Sequence, residues 1–374
     1  MSWRQTLARK SFDVNAVRWP GTKRLGAGLR DLGAAGRPAA GWVLGLALLL
    51  VLAVAVQLGA VPVAAGDWWS WAGDAPLSGG AYVLWQLRLP RALLAACVGA
   101  ALGLAGALAQ GLFRNPLADP GLLGVTSGAV CAVALVLTVF SASAAAVPAA
   151  WRVWVLPLSA FGGALGVCFV LERLARWLTP GSVAGLLLTG LALNALTMSA
   201  VGLCTYLATD DQLRSLTFWT LGSVAGANWS VVLVLGTALA LGLWQARRLA
   251  HALNALALGE SAAAHVGVDV AALRIRLIVI VALLCALAVA WCGLIGFIGL
   301  MAPHLVRGLA QGDQRRVLPL SMWAGALLLV TADTVARNVA IPAEIPVGIF
   351  TALIGAPLFL LMLRDLARQQ GGHA

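Results

Sequence analysis

Long apolar runs, each about the length needed to cross a bilayer, are separated by short clusters of charge, and this pattern constrains the chain more than any other. Helical spans are expected near 41–62, 86–112, 121–142, 150–172, 182–208, 229–247, 270–292, 294–311, 317–338 and 345–364, about ten in all. The eighth carries Gly296, Gly299 and Pro303, so it is expected to be bent or broken. Composition agrees. Of the 374 residues, 61% are hydrophobic and only 10% charged, with a mean hydropathy of +0.92. Soluble domains carry about 25% charge. The fold class is therefore an all-α, polytopic membrane protein, with a basic tail at 1–40, a membrane domain at 41–366 and a short tail at 367–374. The first apolar run begins too far from Met1 for a secretory signal, so the first helix is expected to be retained.

The net charge of +11 does not point to nucleic acid, because no basic stripe is interleaved with stacking aromatics. Alternating the spans from a cytoplasmic N-terminus explains it. The inner side then receives the tail cations together with Arg114, Arg173, Arg176, Arg247, Arg248, Arg274, Arg276, Arg307, Arg315, Arg316, Arg364 and Arg368. The outer side keeps Arg88, Arg91, Arg152, Arg214 and Arg337. This asymmetry implies an even number of spans with both termini in the cytoplasm.

Cys97, Cys131, Cys168, Cys204, Cys285 and Cys292 are scattered singly without a CxxC pair, which fits small packing residues better than zinc or redox chemistry. Small residues at four-residue spacing, Gly99-Gly103-Ala107-Gly111 and Gly348-Ala352-Ala356, read as helix-packing faces. Trp68, Trp69, Trp71, Trp85, Trp219 and Trp229 fit interfacial anchors, or a stacking surface for a flat aromatic cargo. No GxxxxGK[ST] is present, so ATP would have to be bound by another chain. No nucleophile, base and orienting group occur together.

Five segments carry further information. Gln86-Leu87-Arg88-Leu89-Pro90-Arg91 opens the second span. The run from Gln110 to Gly121, with Asn115-Pro116-Leu117 and Asp119-Pro120-Gly121, reads as a fixed turn at the inner face. Residues 258–267, in a longer inner segment at about 254–267, favour a short helix that stops at Gly267. The others are residues 296–304 and 343–348. In this order, on these sides, they resemble the FecCD-type permeases, importers of ferric siderophores, haem and vitamin B12. The resemblance covers about residues 85–364, and the overall likeness is greatest to the proteobacterial haem importers.

The resemblance implies a paired permease with a second copy of this chain, two ATP-binding subunits beneath and a periplasmic substrate-binding protein above, in the bacterial inner membrane. ATP-Mg would reside on the partner ATPase, haem would be cargo, and this chain would hold no cofactor or metal. Leu258, Gly259, Glu260, Ala263, His265, Val266 and Gly267 match ATPase-coupling segments; a solvated connector is the plainer reading. Arg88, Arg91 and Arg337 match arginines that meet the binding protein, or they anchor helix ends by snorkelling. Asp333 could instead pair with Arg337 along a helix. Asn115 and Leu117, with Ser182 and Val183 of a second turn, match a cytoplasmic gate, although Asn115 could equally stabilise a turn. None of His251, His265, His304 and His373 sits convincingly mid-span, which disfavours haem ligation. An ion-coupled secondary transporter is the rival class. It would want ionisable groups deep in the membrane, whereas the middle of each span is almost free of charge, and Asp333 and Glu344 fall near the outer edge.

Overall fold

A computed structural model of the chain describes residues 39–70, 78–341 and 343–371. The basic tail, apart from Ala39 and Ala40, and also Trp71 and His373, lie outside the described residues. Among the described residues all regular structure is helical. The principal helices are α1 (Ala39–Gln57), α2 (Gly79–Phe113), α3 (Val125–Leu137), α4 (Ala149–Leu178), α5 (Val183–Leu207) and α6 (Asp210–Thr220). After them come α7 (Trp229–Ala257), α8 (Glu260–His265), α9 (Val270–Cys292), α10 (Ile298–Arg307), α11 (Gln314–Val339) and α12 (Val347–Gly371).

Eight of these, α1, α2, α4, α5, α7, α9, α11 and α12, are long and apolar enough to cross a bilayer. Two of the about ten expected spans fall short of that length. With 13 and 10 residues, α3 and α10 reach only about 20 and 15 Å, against a hydrocarbon core of about 30 Å. The break before α10 was expected, and its cause is local. Gly293 (φ +65°) ends α9, and Phe297 (φ +66°) sits in the left-handed region just before Ile298. The shortening of α3 was not expected. Pro116, Pro120 and Gly124 (φ +75°) keep residues 114–124 out of an α-helix. Only a 3₁₀ turn, Pro120–Leu123, forms there, capped by Asp119.

The bundle has two ends, named here by Arg91 and by Glu260. Helix α1 arrives at the Arg91 end, where the carbonyls of Val56 and Gln57 accept from Arg88. Helix α12 starts there too, just after Glu344.

Helix α2 is the central post, buried from Val98 through Phe113. Pro90 cannot donate to the carbonyl one turn earlier, and the preceding turn, Val83–Arg88, widens to π-helix. Its glycines let neighbours approach to backbone contact. A methyl group on Gly99 or Gly103 would collide with the Gly325 or Ser321 carbonyl of α11, and one on Gly106 with Gly299 of α10. The expected packing face on α2 is therefore present. On α12, Gly348 of the expected face makes a close contact with the Leu221 and Leu294 carbonyls and Gly355 one with Phe297, while Ala352 and Ala356 are exposed. The six cysteines are all unpaired, four of them buried.

Candidate functional site

At the Glu260 end, α7 stops at Ala257 and a short helix is framed by two glycines with positive φ, Gly259 (+120°) and Gly267 (+85°). Gly267 N–H donates to the Ala264 carbonyl at 3.0 Å and Val268 N–H to the Ala263 carbonyl at 3.0 Å. This is the paired closure of a Schellman stop, which needs a left-handed residue at Gly267. The short helix and its stop match the sequence expectation. Ala263 is fully buried and pins α8 to the bundle, while Leu258 (72% exposed) and Val266 (70%) stand outward on either side. His265 is exposed, its Nδ1 2.6 Å from the Ser261 carbonyl.

Glu260 opens α8, and its carboxylate faces inward. Its Oε1 accepts from Arg274 Nη2 of α9 at 3.1 Å and lies 3.8 Å from Arg114 Nη2. Arg114 caps α2 in the left-handed region (φ +50°). The same Nη2 of Arg274 donates to the Gly181 carbonyl at 3.0 Å. Gly181 (φ +79°) belongs to the turn in which Ser182 caps α5, its Oγ accepting from Gly185 N–H at 3.0 Å. Val183, the first residue of α5, is half-buried. Next to Arg114, the Asn115 Oδ1 accepts from Leu117 N–H at 2.9 Å, so the turn-stabilising geometry considered for Asn115 is present. The structure thus brings the expected coupling segment and both expected gate turns together around one carboxylate. Arg274 and Arg114 were placed by sequence only as inner-side cations; nothing in their spacing shows what they join.

The run through Asp119 is not confined to the face. Residues 119–124 turn back between helices, where Pro120 packs on Gly299 beside Leu102 of mid-α2 and Leu123 accepts from the Cys168 thiol at 3.3 Å. This corrects the reading of the whole Gln110-to-Gly121 run as a turn at one face, and the membrane interior is not as free of carboxylates as the spans suggested. Non-helical backbone at such depth is tolerable where protein encloses it or a cavity borders it. Asp119 borders a cavity of about 430 Å³ with Cys285, Phe297 and Phe359. A second cavity, of about 570 Å³, lies between α3, α5 and α6 and is lined by Ser127, Asn194, Thr205 and Thr217 among apolar neighbours. Helix α6 was missed in the sequence, although Thr209 and Gln212 form a capping box at its start.

At the opposite end the three expected docking arginines converge, and each has partners within the chain. Arg88 is only 7% exposed and donates to the Val56, Gln57 and Val61 carbonyls. Arg91 grips Asp333 through Nε (3.1 Å) and Nη2 (2.9 Å), with Nη1 2.7 Å from Glu344. Arg337 donates to the Ala55 carbonyl and stands 3.9 Å from Asp333. The helical pair considered for Asp333 is present but long; Arg91 is its closer partner. Glu344, 53% exposed, is the outermost group of the cluster. Nearby, Trp68 and Trp85 pack edge to face with ring centres 6.3 Å apart and line a cavity of about 700 Å³ with Gln57, Val63, Ala65 and Trp69. Among the described residues no group of three or more His, Cys, Asp or Glu side chains is arranged to hold a metal ion.

Residues 46–365 match the model of the FecCD transport family. The hemin transport system permease protein HmuU of Yersinia pestis is 42% identical over 334 residues, covering 87% of this chain and 96% of that protein. The vitamin B12 import system permease protein BtuC of Klebsiella pneumoniae is 38% identical over 328 residues, covering 87% and 95%. The solved structure of a metal-chelate type ABC transporter in an inward-facing conformation superimposes with a TM-score of 0.75 at 33% identity, covering 88% of this chain and 99% of that one.

Proposed function

This chain belongs to the FecCD transport family, and we propose that it is the permease through which an ATP-driven importer moves haem across the bacterial inner membrane. The importer-permease class rests on the family match and on relatives that cover almost the whole chain. Haem rests on one observation, the 42% identity to a hemin permease. Cobalamin is the second reading, favoured by the relatives at 38%. A ferric siderophore is the third, in keeping with the metal-chelate transporter of similar fold.

In this reading two copies enclose the pathway and both termini face the cytoplasm. Two separate ATP-binding subunits seat against the Glu260 end, where the exposed Leu258 and Val266 offer apolar contacts around the α8 helix. Residues 115–117 and 182–183 form the gate above them. A periplasmic binding protein meets the Arg91 end. Since Arg88 is buried and the Arg337 side chain is only 9% exposed, docking acts first on Arg91: a partner carboxylate competes with the exposed Glu344 for its guanidinium group. ATP binding shifts the pair between inward-open and outward-open states. Cargo passes without side-chain ligation to iron, since a passage must release what it admits.

The test is haem uptake into liposomes holding this permease with its ATPase and binding protein, with and without ATP. ATP-dependent uptake that requires the binding protein is expected. No haem uptake, with binding-protein-stimulated ATP hydrolysis intact, overturns haem and turns the assay to cobalamin and ferric siderophores.

A further inference from the structure

Residues 258–267 lie more than 70 positions after the turn at 181–183, which itself lies more than 60 after the turn at 115–117, so their juxtaposition at the Glu260 end needs a physical connection. Covalent continuity supplies one link: α8 runs through Gly267 and the Asp269 cap into α9. Arg274 is the next link. It lies just past the first turn of α9, and its side chain is 16% exposed. One nitrogen, Nη2, donates to both the Glu260 carboxylate (3.1 Å) and the Gly181 carbonyl (3.0 Å). Beyond Gly181, Ser182 caps α5, and α5 carries Asn194, Met198, Val201 and Thr205 along the 570 Å³ cavity. A displacement of α8 therefore has a short, polar, partly shielded path to the helix that lines the cavity.

We propose that Arg274 is a positioning residue for transport: it ties the coupling helix to the 179–182 turn, so that movement of α8 reaches α5. The proposal rests on the reading of residues 258–267 as the ATPase-facing segment. The guanidinium suits this task because it is planar and permanently charged, and the two N–H bonds of one nitrogen, Nη2, hold a carboxylate and a carbonyl in fixed relation. Arg276, two residues on and exposed, has no such geometry. The path is a contiguous set of hydrogen bonds, and only a measured effect on the distant turn establishes coupling.

The experiment uses the complete transporter in liposomes, with the six cysteines replaced by alanine and a single A184C reporter on the exposed face of the first turn of α5. The rate of labelling by a charged maleimide is measured before and after trapping with ATP and vanadate. The parent is expected to change severalfold on trapping. In Arg274→Ala the ATPase rate should stay within about twofold of the parent, while the labelling change disappears and uptake falls at least tenfold. Arg276→Ala should keep both. A labelling change retained in Arg274→Ala overturns the proposal. If that variant does not assemble, Arg274→Gln, a neutral side chain of similar polarity, is judged by the same criterion. A parent whose labelling ignores ATP overturns the ATPase-facing reading itself, and Arg274's role with it; the two failures are thereby distinguished.

Discussion

Arg91 and Asp333, 242 residues apart in sequence, form a two-point ion pair that joins α2 to α11, with Nε and Nη2 both within 3.1 Å of the carboxylate. Both side chains are shielded, 13% and 5% exposed. Removing one member of such a pair strands the other charge in a poorly solvated site, at a cost of about 3–5 kcal/mol. Asp333→Ala should lower the thermal midpoint of the purified protein in detergent markedly. The double variant Asp333→Ala/Arg91→Met should recover part of the loss, because the stranded guanidinium is gone. A double variant as unstable as the sum of the singles would remove the pair from the list of structural ties.

Glu344 shares Arg91 with Asp333 but is half exposed, so its pair contributes roughly 0–1 kcal/mol. Glu344→Ala should leave the thermal midpoint almost unchanged. If a binding protein docks by competing for Arg91, the same variant should bind it more tightly at low ionic strength, and the gain should fade as salt rises. Titration of the binding protein at two salt concentrations tests this; equal or weaker binding at low salt speaks against Arg91 as a docking group.

Gly103 touches the Ser321 backbone of α11. Gly103→Val should force α2 and α11 apart and cost about 1–3 kcal/mol or more. Ala352→Val on the exposed face of α12 should be tolerated. Size-exclusion profiles of the two variants in detergent should show aggregation or loss of yield for the first only.

Gly267 closes α8 at φ +85°, where a side chain costs roughly 1–2 kcal/mol. Gly267→Val should displace the end of α8, the proposed coupling helix, without preventing membrane insertion. Uptake should fall severalfold more than ATP hydrolysis, as measured together in liposomes. Equal uptake per ATP in variant and parent would argue that the stop at Gly267 does not matter for coupling.

Asp313 caps α11. Burial raises the pKa of its carboxyl, but hydrogen bonds from Asn254 and the Arg315 backbone, with the Arg315 and Arg316 charges, outweigh this and hold it below the usual value. A depressed carboxyl stabilises the fold above its unfolded pKa of about 3.9, and the contribution is lost as pH falls through the folded value. The difference in thermal midpoint between the parent and Asp313→Asn should be present at neutral pH and shrink below about pH 4. A difference independent of pH would mean that the cap works without its charge.

Much of the fold was legible because its signals are local. Length and apolarity predict each spanning helix, Gly267 predicts the stop after α8, and Gly99 and Gly103 predict a close helix contact. The half-length of α3 was not legible. The apolar run from 121 to 142 looks long enough to cross, and only neighbours at Leu102, Gly299 and Cys168 show that residues 119–124 turn back into the bundle. Likewise, Gly348, Ala352 and Ala356 share a spacing, but only Gly348 packs within the chain, while the rotation of α12 turns the two alanines outward and brings Gly355 onto Phe297.

By itself the sequence determined the class of solvent this protein lives in, the number of long helices to within the two short ones, and, through ordered motifs, its family. Those are sums over neighbouring residues, and hydropathy or a turn signal needs no knowledge of distant partners. Tertiary structure alone decided that Arg88 turns inward onto α1, that Arg91 meets Asp333, and that Glu260 and Gly181 share one nitrogen of Arg274. A charge near a helix end can snorkel, dock or pair with equal ease in sequence terms. Which of these it does depends on the acceptors that other helices bring within about 3 Å.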